Sequence, residues 1–144
     1  MNNTGLVYAL AAAITWGVVY VLDQKVLTKL SPLNWLFISS LVMAIITLPI
    51  AVMNWESIKT AIFSGNKQFF YFIIGAPILA ILANFFIFSA IQRLGAPIAS
   101  IFEIAYPFFV AIFTLILFGG SLNAYFWIGA LFMFLGGVII IRFT

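Results

Sequence analysis

Residues 69–118 read FFYFIIGAPILAILANFFIFSAIQRLGAPIASIFEIAYPFFVAIFTLILF and contain two long apolar segments, 69–91 and 96–118. A helix needs about 20 mostly apolar residues to cross the hydrocarbon layer of a bilayer, so each segment is long enough to span a membrane. Only residues 92–95 separate the two segments, and Pro97 is suited to the first turn of a helix. This stretch therefore predicts a tight antiparallel pair of transmembrane helices.

Further long apolar segments occur before and after this stretch. Of its 144 residues, 66% are hydrophobic and 6% are charged, whereas an ordinary soluble domain has about 25% charged residues. The sequence predicts an all-α polytopic membrane protein, a bundle of five transmembrane helices that forms one domain over residues 1–144. The connection 54–68 is either a short interfacial helix or an unstructured loop. The predicted spans are approximately 5–22, 33–53, 69–91, 96–118 and 124–141.

Composition also excludes several classes of function. The chain contains no Cys and no His, and only three Asp and Glu residues. Disulfides, thiol catalysis and most metal sites therefore lack the side chains that they require. Six Lys and Arg residues give a net charge of +3, which is too little for the basic surface that nucleic acid requires. We expect no enzyme activity, no cofactor, no metal and no nucleic-acid partner; the expected surroundings are the lipid bilayer.

The positive charges give a weak orientation signal. In a five-span chain, four of the six basic residues fall on one side of the membrane and two on the other. This distribution favours an N-terminus outside and a C-terminus inside. Because the difference is small, insertion in both orientations stays open. The first group is Lys25, Lys29, Arg93 and Arg142, and the second is Lys59 and Lys67.

Small residues recur at helical spacing in the first and last spans, which is typical of close helix contacts in lipid. Packing within the chain is the simpler interpretation, and an interface between subunits is the alternative. The two series are Gly5, Ala9, Ala13 and Gly17, and Gly129, Gly136 and Gly137.

Glu103 is the most informative polar residue of the spans, since it lies about 10 Å into the fourth one at 1.5 Å per residue. A carboxylate at that depth is costly unless it is protonated, paired or facing water. Pro107 lies four residues on and has no amide hydrogen to donate to the Glu103 carbonyl, which predicts a kink that could act as a hinge. We interpret Glu103 as a site for substrate or proton coupling. The structural alternatives are a protonated acid within a hydrogen bond, or a side chain that reaches the interface.

Other polar and aromatic residues of the spans complete the candidate site. Asn84 lies near the middle of the third span, where it either bonds another helix or contacts substrate. Trp16 and Tyr20 share a face of the first helix that leads to Asp23, which we interpret as mainly solvated near the interface. The candidate substrate-binding residues are Trp16, Tyr20, Asn84, Ser100, Glu103 and Tyr106.

Several short motifs resemble a known family. They are Trp16-Gly17, the segment 89–100 (SAIQRLGAPIAS), Tyr106-Pro107-Phe108-Phe109, Trp127-Ile128-Gly129-Ala130 and Gly136-Gly137-Val138. Together they are similar to the repeat of the drug/metabolite transporter superfamily, and above all to its EamA-type domain. The chain departs from that pattern at Gly119-Gly120, where the family often has an acidic residue.

The resemblance implies a five-helix repeat, half of a ten-helix transporter whose two inverted copies enclose a central substrate cavity. A chain with one copy implies a homodimer, antiparallel as inverted repeats are, or a heterodimer with a short homologue. The family's cavity is lined by the first, third and fourth helices, which correspond by position to the candidate residues above.

We therefore expect a small transporter in the bacterial inner (plasma) membrane. It would move a small organic metabolite, such as an amino acid or an amphipathic amine, by alternating access as a dimer. The alternatives are a membrane subunit that does not transport, and a subunit of a flippase for lipid-linked sugars.

Overall fold

The structure is a computed structural model that describes residues 3–63, 67–119 and 121–143. These residues form helices joined by short turns, and no strand occurs among them. Five helical segments are long and apolar enough to cross a membrane, with α5 and α6 together making the fourth. The predicted all-α fold with five spans is therefore confirmed. The helices are α1 Asn3–Leu27, α2 Pro32–Met53, α3 Trp55–Ile62, α4 Lys67–Leu94, α5 Ala96–Glu103, α6 Tyr106–Phe118 and α7 Ala124–Phe143.

The first helix is longer at its C-terminal end than the sequence indicates. The charged and polar residues after residue 22 predict an end there, yet α1 continues to Leu27. The added turn is helical because Asp23 is buried against a partner rather than solvated, and Lys25 suits the negative end of the helix dipole. Polar residues at a span end therefore did not mark the end of the helix.

The connection between the second and third spans contains a short helix. α3 has Glu56 in its first turn and Lys59 in its last, which is the charge order that the helix dipole favours. Of the two alternatives for residues 54–68, the helical one holds over Trp55–Ile62. Residues 64–66 lie outside the described part of the chain, as does Gly120 of the Gly119-Gly120 departure.

The chain forms two compact units, Met1–Arg93 (unit 1) and Leu94–Thr144 (unit 2). In unit 1 the described buried side chains lie in the C-terminal parts of α1 and α4, where Leu27 and Ile91 are almost fully enclosed. The turn after α1 is held by the side chain of Gln92. Its Nε2 donates to the carbonyl of Leu27 at 2.9 Å and to that of Leu30 at 3.1 Å. One amide of α4 thus satisfies the Leu27 carbonyl, which the end of α1 leaves without a backbone donor, and the Leu30 carbonyl in the turn that follows.

Unit 2 begins with an interrupted helix. α5 ends at Glu103, and the amide of Ile104 donates to the carbonyls of Ser100 at 3.1 Å and Ile101 at 3.2 Å. This tightening over Ile104 and Ala105 precedes Pro107, which lies in the first turn of α6. Since proline cannot continue the ladder of backbone hydrogen bonds, the break falls where Pro107 predicts a kink.

α7 packs on α5 through Gly137. A Cβ atom added there would lie 3.4 Å from Cγ2 of Ile101 and 3.7 Å from Cγ2 of Ile104. At Gly136, next in the chain, an added Cβ would meet no atom within 4 Å. The C-terminal small-residue series therefore packs within unit 2 at one position.

The series in α1 behaves differently. An added Cβ at Gly5 or at Gly17 would also meet nothing within 4 Å, and Ala9 and Ala13 are exposed. Within unit 1, the described residues therefore show no close packing of α1 through Gly5 or Gly17. The stripe of small residues from Gly5 to Gly17 presents an open surface.

Replacing Gly137 by Leu should destabilise the protein, because an added Cβ would already be in contact with the Ile101 and Ile104 side chains and the three carbon atoms beyond it would have no room. We expect a loss of roughly 1–3 kcal/mol, typical of overpacking. The measurement is the apparent melting temperature of the purified protein in detergent, and Gly136→Leu is the matched control. Equal shifts for the two variants would contradict the packing of Gly137.

Candidate functional site

Unit 1 contains a cavity of about 550 Å³ between α1, α2 and α4. On α1 its lining residues are spaced by three or four positions, so they share one face of the helix. The polar and aromatic part of the lining combines two predicted site residues, Trp16 and Asn84, with side chains that the sequence did not single out. The lining residues are Ala12, Thr15, Trp16, Val19, Asp23, Trp35, Leu36, Ser39, Val42, Met43, Asn84 and Phe88.

Asp23 is the one charged residue of this lining, and it is buried, with 3% of its surface exposed. The indole Nε1 of Trp35 donates a hydrogen bond to its Oδ1 at 2.9 Å. Asp23 and Trp35 lie six residues before and after Lys29, so the turn between α1 and α2 brings them to the same level. The second carboxylate oxygen, Oδ2, is buried and has no hydrogen-bond partner among the described residues.

The interpretation of Asp23 as a solvated residue at the interface is therefore wrong. The sequence did contain a signal, since Asp23 lies seven positions after Trp16 on the same face of α1. The sequence alone did not identify Trp35 as the hydrogen-bond partner of Asp23. Trp35 near the start of a span resembles an ordinary interfacial tryptophan, and its role depends on the pairing of α1 with α2.

The remaining polar groups of the cavity donate to their own helices. The hydroxyl of Thr15 donates to the carbonyl of Ala11 at 2.8 Å, and that of Ser39 to the carbonyl of Leu36 at 3.1 Å. Asn84 donates through Nδ2 to the carbonyl of Ala80 at 2.9 Å. These bonds use hydrogens and leave oxygen lone pairs, so the polar lining consists mainly of acceptors.

Aromatic rings form much of the cavity wall. Trp16 contacts Tyr20 edge to face, with ring centroids 5.9 Å apart, and Trp35 lies against Phe88 at 6.4 Å. Tyr20 itself is buried and supports Trp16 without being part of the lining. Such rings suit an apolar or cationic ligand group.

The other predicted site residues belong to unit 2. The hydroxyl of Ser100 donates to the carbonyl of Pro97 at 2.8 Å, Glu103 is half-buried at the end of α5, and Tyr106 is 60% exposed at the start of α6. A cavity of about 540 Å³ in this unit is bounded by apolar side chains and includes Pro107 and Trp127. Ser100, Glu103 and Tyr106 are not among its lining residues.

No metal site emerges from this arrangement. Within the ranges that the structure describes, no three His, Cys, Asp or Glu side chains come together as metal ligands would. The polar groups in the cavity lining of unit 1 are one carboxylate, two hydroxyls, one amide and two indoles, which can bind a ligand and hold a proton.

Replacing Trp35 by Phe should destabilise the protein, because Oδ1 of Asp23 then loses its donor while it stays buried. A loss of roughly 1–3 kcal/mol is expected for such a bond. It should appear as a lower apparent melting temperature in detergent. Trp55→Phe, at an exposed position of α3, is the control, and a shift of the same size there would show that the Asp23 bond contributes nothing.

Comparison with known proteins gives one match. No curated protein and no solved structure matches the chain significantly. The model of the EamA-like transporter family matches residues 3–142, nearly the whole chain. The chain, an integral membrane protein with several spans, therefore belongs to the EamA-like transporter family within the drug/metabolite transporter superfamily.

Proposed function

We propose that the protein transports a small organic metabolite, an amino acid or an amphipathic amine, across the inner (plasma) membrane of a bacterium. Family membership supports transport of the drug/metabolite type. The observation that carries the proposal is the cavity of unit 1, which combines Trp16 and Asn84 with a buried acid. Its volume of about 550 Å³ is in the range of small-molecule sites.

Alternating access requires a part of the fold that changes shape while the helices stay intact. The break between α5 and α6 supplies such a point, because the segment around Ile104 and Ala105 is already outside regular α-helical bonding. Pro107 fixes this break in place. We assign it the role of hinge, at which α5 and α6 change their relative angle during transport.

A dimer is the proposed working form. The described residues provide five spans, and transporters of the inverted-repeat kind bind their substrate between two such bundles. The open stripe of small residues on α1 supports this proposal, since it allows a second backbone to approach closely. The partner is either a second copy, inserted antiparallel, or a short homologue.

Cysteine labelling should reveal the arrangement of this dimer. Single cysteines introduced at Asn54 and at Leu122 lie at connections between spans of a chain with no natural cysteine. For an antiparallel homodimer we expect each position to react partly from either side of the membrane with an impermeant maleimide. Labelling of each position from one side alone would rule out that homodimer.

Glu103 is proposed as a proton-coupling and substrate-contacting residue. It is half-buried, at the point where α5 ends and the hinge begins, so a change in its charge would act directly on that hinge. Ser100 and Tyr106 lie within one turn of it and are proposed to contact the same substrate.

Replacing Glu103 by Gln should abolish the dependence of transport on a pH gradient, because glutamine cannot bind and release a proton. The measurement is uptake of radiolabelled amines and amino acids into proteoliposomes, with and without an imposed gradient. Glu56→Gln in α3 is the matched control and should behave as the wild type. Unchanged coupling in Glu103→Gln would reject the role of Glu103. Absence of transport by correctly inserted wild type would favour a subunit that does not transport.

A further inference from the structure

We propose that the cavity of unit 1 binds an organic cation with a primary ammonium group, and that the Asp23 carboxylate neutralises its charge. The proposal rests on the proposed function and deepens it, because it selects amines over zwitterionic amino acids as the substrate class. It also assigns a binding role to Asp23, an acid other than Glu103.

The position of Asp23 provides the first step. Its side chain is 97% enclosed, it lines the cavity, and only one of its two carboxylate oxygens has a hydrogen-bond donor. That donor, the indole N–H of Trp35, is neutral. A buried carboxylate with one neutral partner is unfavourable unless a proton or a cation balances it. The site is therefore incomplete without a positive charge.

The described residues do not supply that charge. No Lys or Arg lines the cavity, and α2 contains no Asp, Glu, Lys or Arg at all. The basic residues of α4, Lys67 and Arg93, lie at its ends, and Lys25 of α1 is exposed. The two tyrosines of α1, Tyr8 and Tyr20, have phenol groups, which carry no positive charge. A ligand that brings its own cation fits this lining.

The hydrogen-bonding groups of the lining favour the same ligand. The Thr15 and Ser39 hydroxyls and one N–H of Asn84 already donate to backbone carbonyls of their own helices. Their oxygen atoms, together with Oδ2 of Asp23, are acceptors. An ammonium group has three donors and no acceptor, which complements this set. A carboxylate on the ligand would lack a cationic partner, which disfavours an amino acid.

The walls of the cavity suit the rest of such a molecule. The indoles of Trp16 and Trp35 and the ring of Phe88 provide flat apolar surfaces, and indole faces attract cations. Because Oδ2 is buried in the absence of ligand, binding requires the Asp23 carboxyl group to turn towards the cavity. Trp35 can retain its bond to Oδ1 and so hold the carboxyl group during that turn.

Three probes of equal ring and chain length test the charge preference in the wild type. They are 2-phenylethylamine, its neutral counterpart 2-phenylethanol, and phenylalanine, which adds a carboxylate. Binding is measured by equilibrium dialysis of the radiolabelled compounds against the purified full-length protein in detergent. We expect the amine to bind about tenfold or more tightly than either other probe, as a charge-assisted hydrogen bond implies.

The Asp23→Asn variant then assigns the preference to one side chain. It keeps the size of the side chain and an oxygen to accept the Trp35 bond, but it loses the charge. Amine binding should weaken about tenfold or more, with 2-phenylethanol binding unchanged. Glu56→Gln removes a different, exposed acid and should bind all three probes as the wild type does.

Several outcomes would overturn the proposal. Equal binding of the amine and the alcohol to the wild type would do so without any variant, and this comparison decides if Asp23→Asn fails to fold. A full amine preference in folded Asp23→Asn would exclude Asp23 as the counter-charge. Binding is measured apart from transport, so amine binding without uptake of any solute rejects the transport proposal alone. Uptake of another solute without amine binding rejects the cation site alone.

Discussion

The hydrogen bond between the indole of Trp35 and the carboxylate of Asp23 is the interaction on which unit 1 depends. It joins α1 to α2 in mostly apolar surroundings, where the other polar side chains, Thr15, Ser39 and Asn84, bond to their own helices. Because it fixes the level of one helix against the other, it also sets where the lining residues of the cavity meet. The same bond leaves one carboxylate oxygen buried without a partner. One contact thus positions the cavity and leaves a polar atom without a partner beside it.

Much of the fold follows from apolar length alone. Five segments long enough to cross a bilayer are visible in the sequence, and Pro107 marks the break that divides the fourth into α5 and α6. The apolar length of a segment and the position of a proline are local features of the sequence, so they predict the spans and the break directly. The end of α1 is different, because its last turn lies beside the contact of Asp23 with Trp35 of α2, which local patterns do not show.

In the candidate site, too, some residues are predicted by local sequence patterns and others only by contacts between helices. Trp16 and Asn84 were predicted from their polarity and position, and they line one cavity. Asp23 and Trp35 were not, since their significance arises from contact between two helices. Likewise, glycine spacing marks both α1 and α7 as able to pack closely. In the structure, Gly137 of α7 contacts α5, whereas Gly5 and Gly17 of α1 face open space. Spacing shows that a helix can pack closely, and only the fold shows where it does.

The amide of Gln92 has a consequence for biosynthesis. The carbonyls that it holds, those of Leu27 and Leu30, are made 65 and 62 residues before it. At ordinary translation rates of about 5–20 residues per second, the first hairpin waits on the order of 3–13 seconds for this donor. During that interval, water at the membrane surface must donate hydrogen bonds to both carbonyls, so the turn stays exposed to water. Completion of unit 1 is therefore tied to the arrival of the third span.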